Sequence, residues 1–411
     1  MARRVSTRTR RSAAHRIDLV RRVQLPDRVR IARCERSPDL GPRIAFFSGG
    51  TALRGLSRRL IRYTHNSIHL VTPFDSGGSS AVLREAFRMP AIGDIRNRLM
   101  ALADQSLHGN PAVFRLFAQR LAKTESSAHL RAELERMAFD RHPLVAQIPD
   151  PMRKIIRHYL QTFLERMPTG FDLRGASIGN LVLTAGYLEQ RRHFDPVIYI
   201  FSRLVQVRGI VRPITSRDLH LAADLSDGRC VVGQERLTRR GAHGISARID
   251  RLYVTADRDA PQPLEVPIRR KVSDLIRSAD LICYPMGSFY SSLIANLLPT
   301  GVGPAIAATP CPKVFIPNTG HDPEQRGLNL TERAACLLAY LQREAPRRLK
   351  PADLLQYVLL DSRHGRYGAP VEREALERLG LQVIDVPLVT PASRPAIDAD
   401  LLAGHLVSLA L

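Results

Sequence analysis

Residues 43–80 read RIAFFSGGTALRGLSRRLIRYTHNSIHLVTPFDSGGSS. Two apolar runs, RIAFF (43–47) and SIHLVT (67–72), are each followed by a glycine pair with hydroxyl residues beside it. Between them, ALRGLSRRLIRY places Leu53, Leu56 and Leu60 on one helical face. Strand, glycine turn, helix, strand is the opening of a doubly wound parallel sheet. The strands are apolar without alternation, as in a sheet covered on both faces.

Working outward, SSAVLREAFRM and GDIRNRLMALAD read as the next helices. Residues from about 105 to 195 are helical throughout by pattern, which predicts a helical insertion packed on the sheet. Residues 197–260 carry short β-type runs and predict a small β-rich region. The α/β pattern resumes with VSDLIRSA, DLICYP, MGSFYSSLIANLL, KVFIPN, LTERAACLLAYLQRE, LQVIDVP and DADLLAGHLVSLAL. The expected fold is therefore α/β: a Rossmann-like, mostly parallel sheet over residues 43–411. Residues 1–42 form an arginine-rich leader, open between a disordered tail, an anion-binding arm and an added strand.

The 411-residue chain has a formal charge of +22. Lys123, Lys154, Lys271, Lys313 and Lys350 are its only lysines among 61 basic residues. Such a field draws anions. The arginines are spread along the whole chain, no helix-turn-helix or zinc-finger pattern appears, and Trp is absent, so nucleic acid is a poor candidate partner. Five widely spaced cysteines without CxxC argue for reduced thiols in a cytoplasmic protein and against a structural zinc. No apolar run is long enough for a signal peptide or a membrane span, so no membrane partner is expected. Oligomeric state is open, a homodimer included.

Five stretches carry chemistry. In FFSGGTALRGL, Gly49, Gly50 and Thr51 let the backbone turn tightly and face amides toward a phosphate at the following helix. The pattern lacks the Gly-Lys-Ser/Thr of a P-loop and is not GxGxxG. In TPFDSGGSS, Asp75 sits just past a strand, where it can hold Mg²⁺, and Ser79 and Ser80 can donate to phosphate. The same residues equally fit an Asx-turn and an N-cap. In GDIRN, Asp94 precedes a helix as an N-cap would, and Arg96 and Asn97 are free to face a crevice. In YPMGSFYSS, Gly287 and Ser288 repeat the strand–glycine–hydroxyl–helix logic, which suggests a ligand with more than one phosphate. In IPNTGHDPE, Asn318, Thr319 and Asp322 again follow a strand, with His321 as a weaker contact candidate. His65 and His69 read as structural, and no serine-hydrolase elbow is present.

Taken together, FFSGGTALRGLSRRL, TPFDSGGSSAVLREAF, GDIRNRLMALAD, SIGNLVLTAGYLE and DLICYPMGSFYSSLIANLLPTGV with KVFIPN resemble the CofD-like family. That family includes 2-phospho-L-lactate transferase and the YvcK-type gluconeogenesis factors. The motifs keep the family's order over residues 43–318, and the SGGTA and FDSGGSS variants look most like the GAK-system CofD-like subgroup. The resemblance implies a Mg²⁺-dependent transferase that moves a 2-phospholactate-type phosphoacid from a nucleotide-diphosphate donor to a hydroxyl acceptor. The alternative it carries is a non-catalytic nucleotide-sugar or dinucleotide binding regulator. By that resemblance Asp75 would hold the metal. Gly49, Gly50, Thr51, Gly287 and Ser288 would cradle the diphosphate, Arg96 and Asn97 would stabilise developing charge, and Asn180 would position the ligand. The chain departs from the family at Ser76, where a second Asp is common, at Ala52, and at Met286 before Gly287. On this reading one carboxylate is left for the metal.

Overall fold

The computed structural model describes residues 22–410, apart from 107–108, 140–141, 240–243 and 345–348. Its centre is a seven-stranded sheet: β1 (Ile44–Ser48), β2 (Ile68–Val71), β3 (Ile210–Pro213), β7 (Leu281–Tyr284), β8 (Lys313–Phe315), β9 (Tyr357–Leu360) and β10 (Gln382–Asp385). The spatial order is β10-β9-β8-β7-β1-β2-β3, and every pairing is parallel. The chain runs outward from β1 to β3, then returns to β7 on the other side of β1. The topological switch therefore falls between β1 and β7, and ligands of open parallel sheets gather outside the carboxyl ends of such a pair. A separate antiparallel sheet joins β4 (His220–Leu225), β5 (Cys230–Val232) and β6 (Ile249–Thr255) in the order β5-β4-β6.

Side-chain alternation in β1 feeds two cores. Ile44 and Phe46 face a cluster with Leu56 and Leu60 of helix Arg54–Leu60 and with Leu402 and Leu406 of helix Ala399–Leu409. Ala45 and Phe47 face a second cluster that contains Leu221 and Ala223 of β4 and Val254 of β6. All five β1 residues are buried, as continuous apolar runs in a two-sided sheet require. The helical lobe has its own core, centred on helix Ile178–Glu189 and helix Met152–Arg166.

Three local differences separate this fold from the sequence reading. The helical lobe continues through Phe194–Leu204, past residue 197 where the β-rich region was expected to begin. Its buried residues Phe194, Val197, Ile198, Phe201 and Leu204 keep helical spacing, and that spacing outweighs the β-propensity of the side chains. Strand β3 lies within the stretch read as a β-rich region but belongs to the main sheet. Strand β9 was not anticipated at all. Of the leader, residues 1–21 lie outside the described residues. Residues 28–36 form a helix capped by Asp27, and Ile31 and Cys34 pack on the Ile44–Phe46 core.

Arg84 ties the two sheets together. Its guanidinium donates to the carbonyls of Phe74 (3.1 Å), Asp75 (3.3 Å) and Leu219 (2.7 Å), to Asp218 Oδ1 (2.9 Å), and to His220 Nδ1 (3.2 Å). The loop bearing Asp75 is thereby fixed to the entry of β4. Burial, and then the Arg84 charge, hold His220 down at about 4, against 6.5 for a free imidazole. As pH falls the unfolded chain takes up this proton first, so the stability present above about 6.5 is lost on the way down to about 4. In urea unfolding across that window, His220→Gln is expected to flatten the decline. Identical slopes for both proteins would count against it.

Candidate functional site

A cavity of about 650 Å³ opens over the carboxyl ends of β1 and β7. It is lined by Ser48–Leu53 after β1, Asp75 after β2, Asp94 and Asn97 of helix Gly93–Ala101, Pro285–Ser288 after β7 and Asn318–Pro323 after β8. Gln234 and Thr238 border it from the small sheet's side, and Pro395–Ile397 cross it from the C-terminal segment. Loops as far apart in sequence as Ser48 and Asp322 thus meet at one switch point, and Gly50, Asp75 and Ser288 share it.

Of the residues singled out in the sequence, Gly49, Gly50, Thr51, Asp75, Asp94, Asn97, Gly287, Ser288 and Asn318 line this cavity. Arg96, Ser79, Ser80 and Asn180 do not. The Ser80 hydroxyl accepts from the Gly93 amide at 3.0 Å and serves to join the two helix starts. Arg96, Asn180 and Ser79 form a separate chain of contacts one layer away, so Arg96 is not placed to stabilise charge in the cavity.

Asp94 is not an N-cap. Ile92 occupies that position, and the Asp94 carboxylate turns to the first glycine turn, accepting from the Gly50 amide and from Thr72 Oγ1 at 3.5 Å. A Cβ on Gly50 would lie 2.2 Å from Asp94 Oδ1, and one on Gly49 2.5 Å from Ser292 Oγ. Both glycines are therefore demanded by close approach. Burial, and then the neighbouring Asp75 charge, push the Asp94 carboxyl up to about 7. Asp94 thus sets a second carboxylate near Asp75, from the first turn of helix Gly93–Ala101, a proximity that local sequence could not reveal.

Arg98 sits behind this pair and was missed by the sequence reading. It is fully buried and donates to Gly49 O (2.7 Å), Ser48 Oγ (3.1 Å) and Ser57 Oγ. Its charge favours ionised Asp94. Its bond to the glycine turn crosses about fifty residues of sequence and so leaves little trace in local patterning. The one clue was its position four residues after Asp94 on the same helix face.

The second glycine turn is built differently from the expectation. The Gly287 amide donates to Asn318 Oδ1 (2.8 Å), Phe289 N to Asp322 Oδ2 (2.9 Å), and Tyr290 N and Ser291 N to Glu324 Oε2 (2.8 Å each). The chain here opens a π-helical turn, Phe289–Ile294, with Leu293 N donating to Ser288 O. Of the two residues offered in sequence as a phosphate cradle, Gly287 has its amide taken by Asn318, and carboxylates of the protein itself cap the next three amides, Phe289 to Ser291. Asn318 staples the turn and presents little else.

The cavity's charge follows from these placements. Asp75, Asp94 and Asp322 are among its lining residues, and no lysine or arginine is, among the described residues. In a chain of +22 this is an acidic pocket in a basic surround. No group of three or more His, Cys, Asp or Glu side chains is arranged as a metal cage among the described residues. No helix described is long and apolar enough to cross a membrane, and all five cysteines are free thiols.

Comparison with known proteins fits this arrangement. The gluconeogenesis factor of Bacillus subtilis is 31% identical over 282 residues, covering 69% of each chain. A putative gluconeogenesis factor of Nostoc is 29% identical over 356 residues, 84% of this chain and 63% of the relative, and that of Listeria monocytogenes is 30% identical over 281 residues, 67% and 66%. The crystal structure of a Bacillus halodurans protein of the UPF0052 family superposes with a TM-score of 0.64 at 23% identity, covering 89% of this chain and 99% of that one. Residues 44–389, from the first strand of the sheet to the segment before the cavity's C-terminal strap, match the family described as 2-phospho-L-lactate transferase CofD, and the chain belongs to that family.

Proposed function

We propose that the chain is a Mg²⁺-dependent transferase that moves a phosphoacid group, of the 2-phospholactate type, from a nucleotide-diphosphate donor to a hydroxyl acceptor. The observation that supports this most is the acidic cavity at the β1–β7 switch point. A diphosphate placed beside Asp75, Asp94 and Asp322, with no lysine or arginine in the lining, is repelled unless a cation accompanies it.

The donor set suits Mg²⁺. It consists of hard oxygens from Asp75, Asp94 and the Asn97 amide, too few to cage a metal and enough to hold one that keeps waters and substrate phosphates. Bound there, Mg²⁺ would neutralise phosphate charge and orient the leaving group. The protein's own part is positioning. The glycine turn at Gly49–Thr51 lets the backbone approach the ligand, Arg98 fixes that turn from behind, and Pro395–Ile397 add to the lining. Phosphoryl-type transfer asks for such alignment more than for covalent participation.

A melting assay tests the reading. Nucleoside diphosphates with Mg²⁺ at about 100 times Kd are expected to stabilise the protein by about 2.7 kcal/mol. Asp75→Ala is expected to remove the Mg²⁺-dependent part of that gain. Stabilisation of equal size with and without Mg²⁺ would sink the metal role.

The alternative is a protein that binds a nucleotide sugar or dinucleotide without turning it over. The Bacillus and Listeria relatives are named gluconeogenesis factors, a name that specifies no transfer reaction. Tight binding with no nucleoside monophosphate released on long incubation with donor and acceptor would decide for this alternative.

A further inference from the structure

Arg96 is 9% exposed, and among the described residues no ion pair neutralises its guanidinium. Its only hydrogen bond among the described residues runs from Nε to Asn180 Oδ1 at 3.3 Å, which leaves both terminal nitrogens without a partner there. Among the described residues no carboxylate pairs with it. The charges that bear on it are those of Arg120 and Arg54, and together with burial they lower its affinity for its own proton. Burying a cation among cations is costly unless an anion joins them.

The surroundings are shaped for one. The Arg96 stem lies across Gly179, where a Cβ would come within 3.3 Å of Arg96 Cγ. Asn180, 2% exposed, accepts from Arg96 and directs its own amide nitrogen to Ser79 Oγ at 3.4 Å. Ser79 lies in the first turn of helix Gly78–Phe87, whose N-cap is Gly77 and whose N-terminus has no side-chain cap. An uncapped ten-residue helix start and a largely buried arginine, bonded only through its Nε among the described residues, thus meet through one asparagine. The arrangement adjoins the acidic cavity without belonging to it. Asn97, next to Arg96, faces the cavity, and Asp75 is four residues before Ser79.

We infer that Arg96, Asn180, Ser79 and the amides at the start of helix Gly78–Phe87 form a second anion subsite, which takes a carboxylate or phosphate of the group being transferred. This rests on the transferase reading and divides its labour. The diphosphate and its cation occupy the acidic cavity, and the acid end of the phosphoacid is held by direct positive charge at the seam with the helical lobe. An arginine fork matches either oxyanion in two-point geometry.

Titration calorimetry on the whole chain tests this with two probes. Mg²⁺ with GDP or UDP reports the cavity, and 2-phosphoglycerate without Mg²⁺ reports the subsite. Arg96→Met is expected to weaken 2-phosphoglycerate by about tenfold or more while nucleotide affinity stays within about twofold. Should that variant fold poorly, Asn180→Asp gives Arg96 an internal carboxylate. It is expected to melt at or above wild type and still lose 2-phosphoglycerate. Equal losses for both probes, loss for neither, or no 2-phosphoglycerate binding by the wild type at millimolar concentration would overturn the subsite. If nucleotides fail to bind while 2-phosphoglycerate binds and depends on Arg96, the subsite stands and the donor assignment falls. Inorganic phosphate in place of 2-phosphoglycerate separates the two oxyanions. Retained dependence on Arg96 assigns the phosphate to the subsite, and lost dependence assigns the carboxylate.

Discussion

Gly50→Ala is expected to abolish Mg²⁺-dependent nucleotide binding, with a loss of about 100-fold or more, as misplacement by about an ångström in a positioned site produces. The new methyl would meet Asp94 Oδ1 at 2.2 Å, Cγ at 2.9 Å and Cα at 3.1 Å. The carboxylate could swing aside, but the Cα belongs to helix Gly93–Ala101 and cannot move without the helix. The turn after β1 or the start of that helix must therefore shift. Overpacking of this kind costs about 1–3 kcal/mol in stability as well. The control lies five residues on. A Cβ at exposed Gly55 would sit 3.8 Å from Ala399 Cβ, an ordinary contact, and Gly55→Ala in a helix is expected to be neutral or to stabilise by up to about 1 kcal/mol. If both alanines bind nucleotide like wild type, the close approach of Gly50 to Asp94 has no bearing on the site.

Arg98→Met is expected to be the most destabilising single change, at about 3–5 kcal/mol in urea unfolding. The guanidinium is fully buried and satisfies Gly49 O, Ser48 Oγ and Ser57 Oγ at once. Its loss leaves those oxygens without a donor and strips Asp94 of the charge that favours its ionised form. Weaker affinity for Mg²⁺ should follow in whatever fraction folds. A variant that unfolds at the wild-type urea midpoint would show that Arg98 fills space and no more.

Much of this could be read from residues in order. The strands RIAFF, SIHLVT, DLICYP and KVFIPN declared themselves because each is a short apolar run bounded by turn residues, and their glycine-rich exits placed the crevice at the correct sheet edge. Pairings across distance were not legible. Asp94 looked like a cap because Asp before a helix usually is one, yet its partner is an amide 44 residues upstream. Nothing local to Gly287 and Ser288 shows that Asn318 returns to take the Gly287 amide, or that Asp322 and Glu324 cap the three amides that follow. Arg96 and Arg98 are two residues apart on one helix and face different sites, a division that depends on the helical lobe docking where it does. Phe194–Leu204 was misread for another reason: its residue types favour strands, while its spacing is that of a helix.

An open pleated array can recruit a further chain along either rim, and this one has two rims, β3 and β10. Each is only four residues long. At one, Pro213 offers no N–H and Arg212 is held by Asp195 at 3.1 Å. At the other, Asp385 is engaged by Ser362 and Arg373. Both borders are brief, charged and chemically occupied, and so offer a poor template for edge-to-edge growth even though seven strands lie side by side.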